Sequence, residues 1–217
     1  MTLESFFKEN SLVALAFSGG TDSSYLLYAG LRYGAKVKAY FVKTQFQPEF
    51  ELKDALKLAE QMNADINIIE KDILCNEKIA SNPDNRCYFC KREIFETLCA
   101  QAKNDGINTI IDGTNASDSA DDRPGMKALQ ELSVRSPLRE CGIAKSEVRK
   151  LSQEAGLFTW DKPAYACLAT RILNNRYITK ELLQKVEKVE GALFAAGFKD
   201  FRARVLDEKT MRLEFYE

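Results

Sequence analysis

Histidine is absent from all 217 residues, and that absence removes a class of chemistry: no imidazole general base, no Cys/His nucleophile pair and no His metal ligand. Reaction chemistry must come from cysteine, carboxylates, Lys, Arg and backbone amides. Long apolar runs are missing too. Stretches such as Leu12 to Phe17 are strand-sized and fall far short of the roughly 20 residues that a membrane span needs. Nor is there an excess of charge of one sign. The 31 Lys and Arg stand against 32 Asp and Glu, so non-specific polyanion binding is disfavoured and no nucleic-acid partner is expected. Met1 to Asn10 mixes charged and apolar residues without the order of a signal peptide, and a cytoplasmic protein is expected. In that compartment the six cysteines read as reduced thiols, metal ligands or catalysts rather than disulfides.

What is present alternates. Leu12 to Phe17 is a strand buried on both faces, and Tyr25 to Tyr33 a helix closed by Gly34. Val37–Val42 and Asp65–Glu70 read as further strands. Between them, Glu49 to Met62 places Leu52, Leu56, Ala59 and Met62 on one helical stripe. After an irregular stretch near Asn82, a helix over 94–102 precedes a strand over 108–112, and Lys145 to Gly156 is helical. This pattern predicts an α/β fold, a doubly wound parallel sheet, over residues 1–160. Beyond the Trp160–Pro163 elbow, residues 161–217 read as a small C-terminal α+β module, short or truncated. It has a helix over 180–196 with apolar residues at 182, 186, 189 and 193, then a hairpin of 201–205 with 211–215.

The strongest chemical signal is Ser18-Gly19-Gly20-Thr21-Asp22-Ser23-Ser24, set between the first strand and the first helix. Glycines admit an anion close to the backbone, the hydroxyls at 18, 21, 23 and 24 add donors, and the helix N-terminus supplies free amides. This is a phosphate-binding loop without the lysine of a Walker loop, and Asp22 is a candidate magnesium ligand. Asp112, Gly113 and Asn115, with Asp118, fall at the end of a strand, where ligands of open α/β sheets gather. Asp112, Asn115 and Asp118 are candidate magnesium or ribose partners; the bland alternative is an Asx-rich turn.

The Ser-Gly-Gly-Thr-Asp-Ser string resembles the signature of PP-loop ATP pyrophosphatases, which cleave ATP between the α and β phosphates. Asp112-Gly-Thr-Asn115 with Asp118, Arg123-Pro-Gly125, Ser136-Pro-Leu138, Lys145, Arg149 and Pro163 to Arg171 resemble one branch, the LarE family. Those sulfur transferases help to build a nickel-pincer nucleotide cofactor. The likeness runs from about Val13 to Ile172 and is most specific around Cys167.

The resemblance implies ATP and magnesium as cofactors, a pyridinium-type mononucleotide as small-molecule substrate, and Cys167 as sulfur donor, with Arg171 favouring its thiolate. Cys87-x-x-Cys90 favours another version over that sacrificial one. Three cysteines, Cys87, Cys90 and Cys167, suffice for a 4Fe-4S cluster with one open iron, as in a cluster-bearing subgroup of the family; a redox or zinc pair is the further alternative. Arg202 and Arg204, on one face of a strand, are candidates for the substrate phosphate together with Glu190, or else a solvated face paired to Glu214. A homo-oligomer without a membrane partner is expected. A tRNA thiolase, an amidating ligase of the NAD synthetase kind and a non-catalytic ATP-sensing module remain the competing readings.

Overall fold

The computed structural model describes residues 1–118, 124–207 and 209–215. Arg123 of the family-like motif lies outside the described residues. Helices α1 (Leu3–Glu9), α2 (Thr21–Arg32), α3 (Glu49–Gln61), α4 (Glu77–Ala80), α5 (Arg86–Asn104), α6 (Pro124–Glu131), α7 (Pro137–Glu140) and α8 (Lys145–Glu154) surround strands β1 (Leu12–Ala16), β2 (Lys36–Lys43), β3 (Asp65–Glu70) and β4 (Ile110–Ile111). The strands form one parallel sheet in the order β3-β2-β1-β4.

Side-chain alternation explains the layering. Val13, Leu15, Val37, Ala39 and Phe41 point into a core filled by α1, α2, α3, α7 and α8. Ala14, Tyr40, Val42 and Ile110 point the other way, onto α5 and α6. Each large apolar side chain buried this way contributes about 1.5 to 3 kcal/mol, so a doubly covered sheet needs the apolar runs seen in β1 and over 39–42 of β2. No helix among the described residues is long and apolar enough to cross a membrane.

Several boundaries differ from the sequence expectation. Helix α2 starts at Thr21, not Tyr25, so the motif forms its first turn with Gly20 as N-cap. The stripe of α3 is rotated: Ala55, Leu58 and Ala59 are buried while Leu56 is 41% exposed. Helix α5 begins at Arg86, so Cys87 and Cys90 ride on its first turns rather than in an irregular stretch. The fourth strand shrinks to Ile110–Ile111, because Ile111 bridges Arg135 and the Asp112 amide donates to the Arg135 carbonyl at 2.9 Å.

After the elbow come a 3-10 turn (Leu168–Arg171), α9 (Lys180–Ala195) and an antiparallel pair, β5 (Phe201–Val205) with β6 (Met211–Phe215). The buried residues of α9 are Leu183, Val186 and Glu190, so of the expected stripe at 182, 186, 189 and 193 only Val186 is fully buried. Leu168, Ile172, Ile178, Leu183, Val186 and Val205 share a core with Phe46, Ile73 and Ile79 from the first part of the chain. Two backbone bonds reinforce it, Leu168 N–H to the Phe46 carbonyl at 2.9 Å and Ile178 N–H to the Ala80 carbonyl at 2.7 Å. The segment bearing Cys167 is thereby fixed to the loop that follows β2.

Candidate active site

The loop after β1 turns at Gly19, whose φ of +68° is left-handed and favours glycine. A Cβ there would also stand 3.0 Å from the Ala55 Cβ of α3. Gly113 is required for another reason: a Cβ on it would lie 2.9 Å from the Ser23 amide, in the first turn of α2. The four hydroxyls divide. Thr21 donates to the Thr159 carbonyl at 2.8 Å and Ser24 to the Gly20 carbonyl at 2.7 Å, and both side chains are buried. Their hydroxyls hold the loop in shape instead of facing a ligand. Ser23 is equally buried and donates to the Gly20 carbonyl at 3.3 Å, so Ser18 alone of the four is exposed; it lies 3.1 Å from the Ser23 hydroxyl and accepts from the Gly20 amide at 3.3 Å.

Asp112 also turns inward. Its carboxylate accepts from Thr114 Oγ1 at 2.5 Å and from Ser136 Oγ at 2.6 Å, so it shapes the turn and is not an open metal or ribose ligand. Asn115 joins the two acids expected to hold magnesium: its amide side chain donates to Asp22 at 3.4 Å and its backbone N–H to Asp118 at 3.1 Å. Lys145 Nζ pairs with Asp22 at 2.5 Å. Two carboxylates completed by phosphate oxygens suit magnesium. Among the described residues no group of three or more Cys, Asp or Glu forms a metal-holding cluster by itself.

Cations absent from the loop sequence arrive through the fold. Lys162, in the elbow, pairs with Asp54 at 2.6 Å and reaches the Gly19 carbonyl at 3.4 Å. Arg149 fastens the elbow by donating to the Trp160 and Lys162 carbonyls at 2.8 and 2.9 Å. The lysine belongs to an elbow that reads as a break, and nothing local to Lys162 marks its approach to the loop.

Cys167 caps the 3-10 turn, with Arg171 at the end of it. Arg171 does not primarily serve the thiol. Its guanidinium pairs with Glu190 through bonds of 2.9 and 3.0 Å, stacks over Tyr165 at 4.4 Å and donates to the Ala166 carbonyl at 2.6 Å. Glu190 accepts in addition from the Ala203 amide at 2.8 Å and from the Tyr165 hydroxyl. With both oxygens used and 1% exposure, Glu190 organises Arg171 and Tyr165 and has no capacity left for a substrate phosphate.

Burial pushes the Cys167 thiol up from its ordinary value, and the cation that most opposes this shift is Arg86, with Arg171 weaker. Arg86 is buried, bonds the Asn82 side chain and the Ala169 carbonyl, and lies 3.7 Å from the Cys87 sulfur. Burial likewise raises the half-buried Cys90 thiol, and Cys167 and then Cys87 push it further in the same direction. The three thiols are therefore neighbours around Arg86. Their donor chemistry suits a cluster, but their arrangement does not form a metal-holding group.

Arg202 and Arg204 frame the same segment, donating at 3.1 Å to the Ala164 and Thr170 carbonyls respectively. Arg202 lies 5.8 Å from the Tyr165 ring centroid, and Arg204 pairs with Glu214 at 2.5 Å.

No family model matches the chain. It is 32% identical over 205 residues to the pyridinium-3,5-bisthiocarboxylic acid mononucleotide synthase of Lactiplantibacillus plantarum, covering 94% of this chain and 74% of the synthase. An uncharacterised protein of Synechocystis sp. is 39% identical over 205 residues, covering 93% and 76%. The tRNA-specific 2-thiouridylase MnmA of Thermotoga maritima is 27% identical over 188 residues, covering 67% of this chain and 52% of the thiouridylase.

Proposed function

The chain belongs to the LarE family, that of the L. plantarum synthase, within the PP-loop ATP pyrophosphatases, and from that premise we propose that it is an ATP-dependent sulfur transferase acting on a carboxylate of a pyridinium-type mononucleotide. One observation carries this reading. Thr159 and Lys162 fasten the elbow to the nucleotide loop, and the Cys167 turn that follows is bonded to Phe46 just after β2, so the loop and the thiol both lie at the C-terminal end of the parallel strands.

ATP binds with its phosphates against the backbone of residues 18–24, and Asp22 and Asp118 would hold the magnesium that accompanies it. The substrate carboxylate attacks the α phosphorus, the bond to the bridging oxygen breaks, and pyrophosphate leaves with the electron pair. Backbone amides and Lys162 stabilise the departing charge. The Cys167 sulfur, having lost its proton, attacks the acyl carbon and expels AMP. Removal of the Cys167 α proton with cleavage of its Cβ–S bond then frees a thiocarboxylate and leaves dehydroalanine. Arg202 and Arg204 hold the substrate phosphate in this scheme, residues 161–217 form the sulfur-transfer unit, and the enzyme works as a cytoplasmic homo-oligomer.

The proximity of Cys87, Cys90 and Cys167 favours a second sulfur source, a 4Fe-4S cluster that would spare Cys167. Anaerobic purification with iron, zinc and sulfide analysis, followed by pyrophosphate release and protein mass after turnover, separates the two. Bound iron and sulfide that are lost in Cys167→Ala, with protein mass unchanged by turnover, support the cluster. Metal-free protein whose mass falls by one hydrogen sulfide supports the sacrificial cysteine. Pyrophosphate release that needs tRNA would instead favour a thiouridylase, and its complete absence with every carboxylate tried sinks the proposal.

A further inference from the structure

The first turns of α3 face the site, and most of their side chains have identified partners. Ala55 lies against Gly19, Asp54 pairs with Lys162 at 2.6 Å, and Phe50 meets the Tyr165 ring edge-on with centroids 4.9 Å apart. Glu51 precedes Asp54 and Ala55 by three and four positions and so shares their side of the helix. It is half-buried, and no hydrogen-bonding or ion-pair partner engages its carboxyl among the described residues.

The charged and titratable groups that face Glu51 are Lys162 from the elbow, Lys43 from β2, Asp54 from its own helix, and Arg171 and Tyr165 from the Cys167 segment. Each cation already has its own carboxylate. Lys43 pairs with Glu49 at 2.7 Å, Lys162 with Asp54 at 2.6 Å and Arg171 with Glu190 at 2.9 Å. Glu51 is thus an extra anion beside three cations that each already have a carboxylate. Burial pushes its carboxyl up to about 7 against the partial relief of Lys162 and Lys43, as expected of an acid with no counter-ion of its own.

A carboxylate that is half-buried and unpaired, on the helix turn that sets Phe50 against Tyr165, complements a cation that has no N–H to donate. A pyridinium ring is such a cation: its positive nitrogen is fully substituted, so it is recognised by charge and by aromatic contact and not by hydrogen bonds. We infer that Glu51 is the counter-ion for the positively charged ring of the mononucleotide substrate, and that it makes this site prefer a cationic over a neutral ring. The inference rests on the substrate class proposed above.

The test uses the full chain and two probes, nicotinate mononucleotide and its 1,4-dihydro form, which differ in ring charge. By calorimetry at pH 8 the wild type should bind the cationic form more tightly by roughly tenfold or more, the worth of one charge-assisted contact. Glu51→Gln should bind the two forms alike, with a single cooperative melting transition, no lower than that of the wild type, showing that it folds. In the wild type alone, the preference should fade as pH drops below about 7, which keeps the inference testable should the variant fail to fold. A preference that survives in Glu51→Gln, or that ignores pH, overturns the role of Glu51 and leaves the substrate class intact. Equal binding of both forms by the wild type overturns it as well. A wild type that binds neither form removes the substrate class and the inference together.

Discussion

The nucleotide loop and the Cys167 segment lie at the same, C-terminal end of the parallel strands and hold their functional groups by opposite means. In the loop, consecutive residues supply backbone amides, and the nearby charges are partly open to water: the Lys145 and Asp22 side chains are 34% and 23% exposed. Around Cys167 the groups come from α5, the 3-10 turn, α9 and β5, and the central ion pair, Arg171 with Glu190, is sealed at 0% and 1%. A loop built from backbone tolerates the loss of a side chain. A hub built from a buried ion pair does not, because removing one partner leaves the other charged in a dry interior.

The comparison breaks first at Glu190. Glu190→Ala strands the Arg171 guanidinium, the Tyr165 hydroxyl and the Ala203 amide and should cost about 3 to 5 kcal/mol in a urea titration. A loss below about 1 kcal/mol, the range of a surface pair, would mean that the hub is not the rigid element it looks.

Gly113→Ala tests the loop at its tightest approach. The added methyl meets the Ser23 amide at 2.9 Å and should cost about 1 to 3 kcal/mol, with weaker ATP binding because the first turn of α2 is displaced. Retained ATP affinity would show that this turn does not contact the nucleotide.

A paired substitution separates shape from contact within the loop. Thr21→Val removes the bond to the Thr159 carbonyl and should cost about 1 to 3 kcal/mol of stability. Ser18→Ala should leave stability within about 0.5 kcal/mol while lowering ATP affinity. The reverse pattern would exchange their roles.

The smallest effect concerns pH. The Glu51 carboxyl is raised from 4.5 to about 7, so its ionised form weakens the fold. The penalty is absent below the unfolded value and complete above the folded one, and stability falls between them as pH rises. Glu51→Gln should therefore melt with the wild type near pH 4 and above it at pH 8. A variant that melts lower at pH 8 would mean that the ionised carboxylate stabilises the fold.

Much of the fold was legible because its signals are local. The apolar runs of β1 and β2, the glycine-rich string between β1 and α2, and the alternation in β5 and β6 depend on near neighbours. Other features depend on distant partners and left no such trace. Asp112 read as an open ligand because its engagement by Ser136 crosses elements. Arg171 read as the partner of the thiol because it lies four residues from Cys167, whereas α5 brings Arg86 to that thiol and α9 brings Glu190 to Arg171. Lys162, Arg86 and Glu51 carry no motif at all.

Residue order alone decides that an anion-binding turn stands at the head of α2, since glycine φ values, free amides and helix N-termini are properties of a few adjacent residues. It likewise decides that no imidazole takes part. The identity of each charge's partner is settled only when strands and helices pack, because ion pairing depends on separations of a few ångströms between residues far apart in the chain and on how much water the packing leaves between them. That is why Glu190, read from the sequence as a candidate for the substrate phosphate, became the centre of a buried ion pair, and why Glu51, an acid on a helix, was left half-buried without a partner.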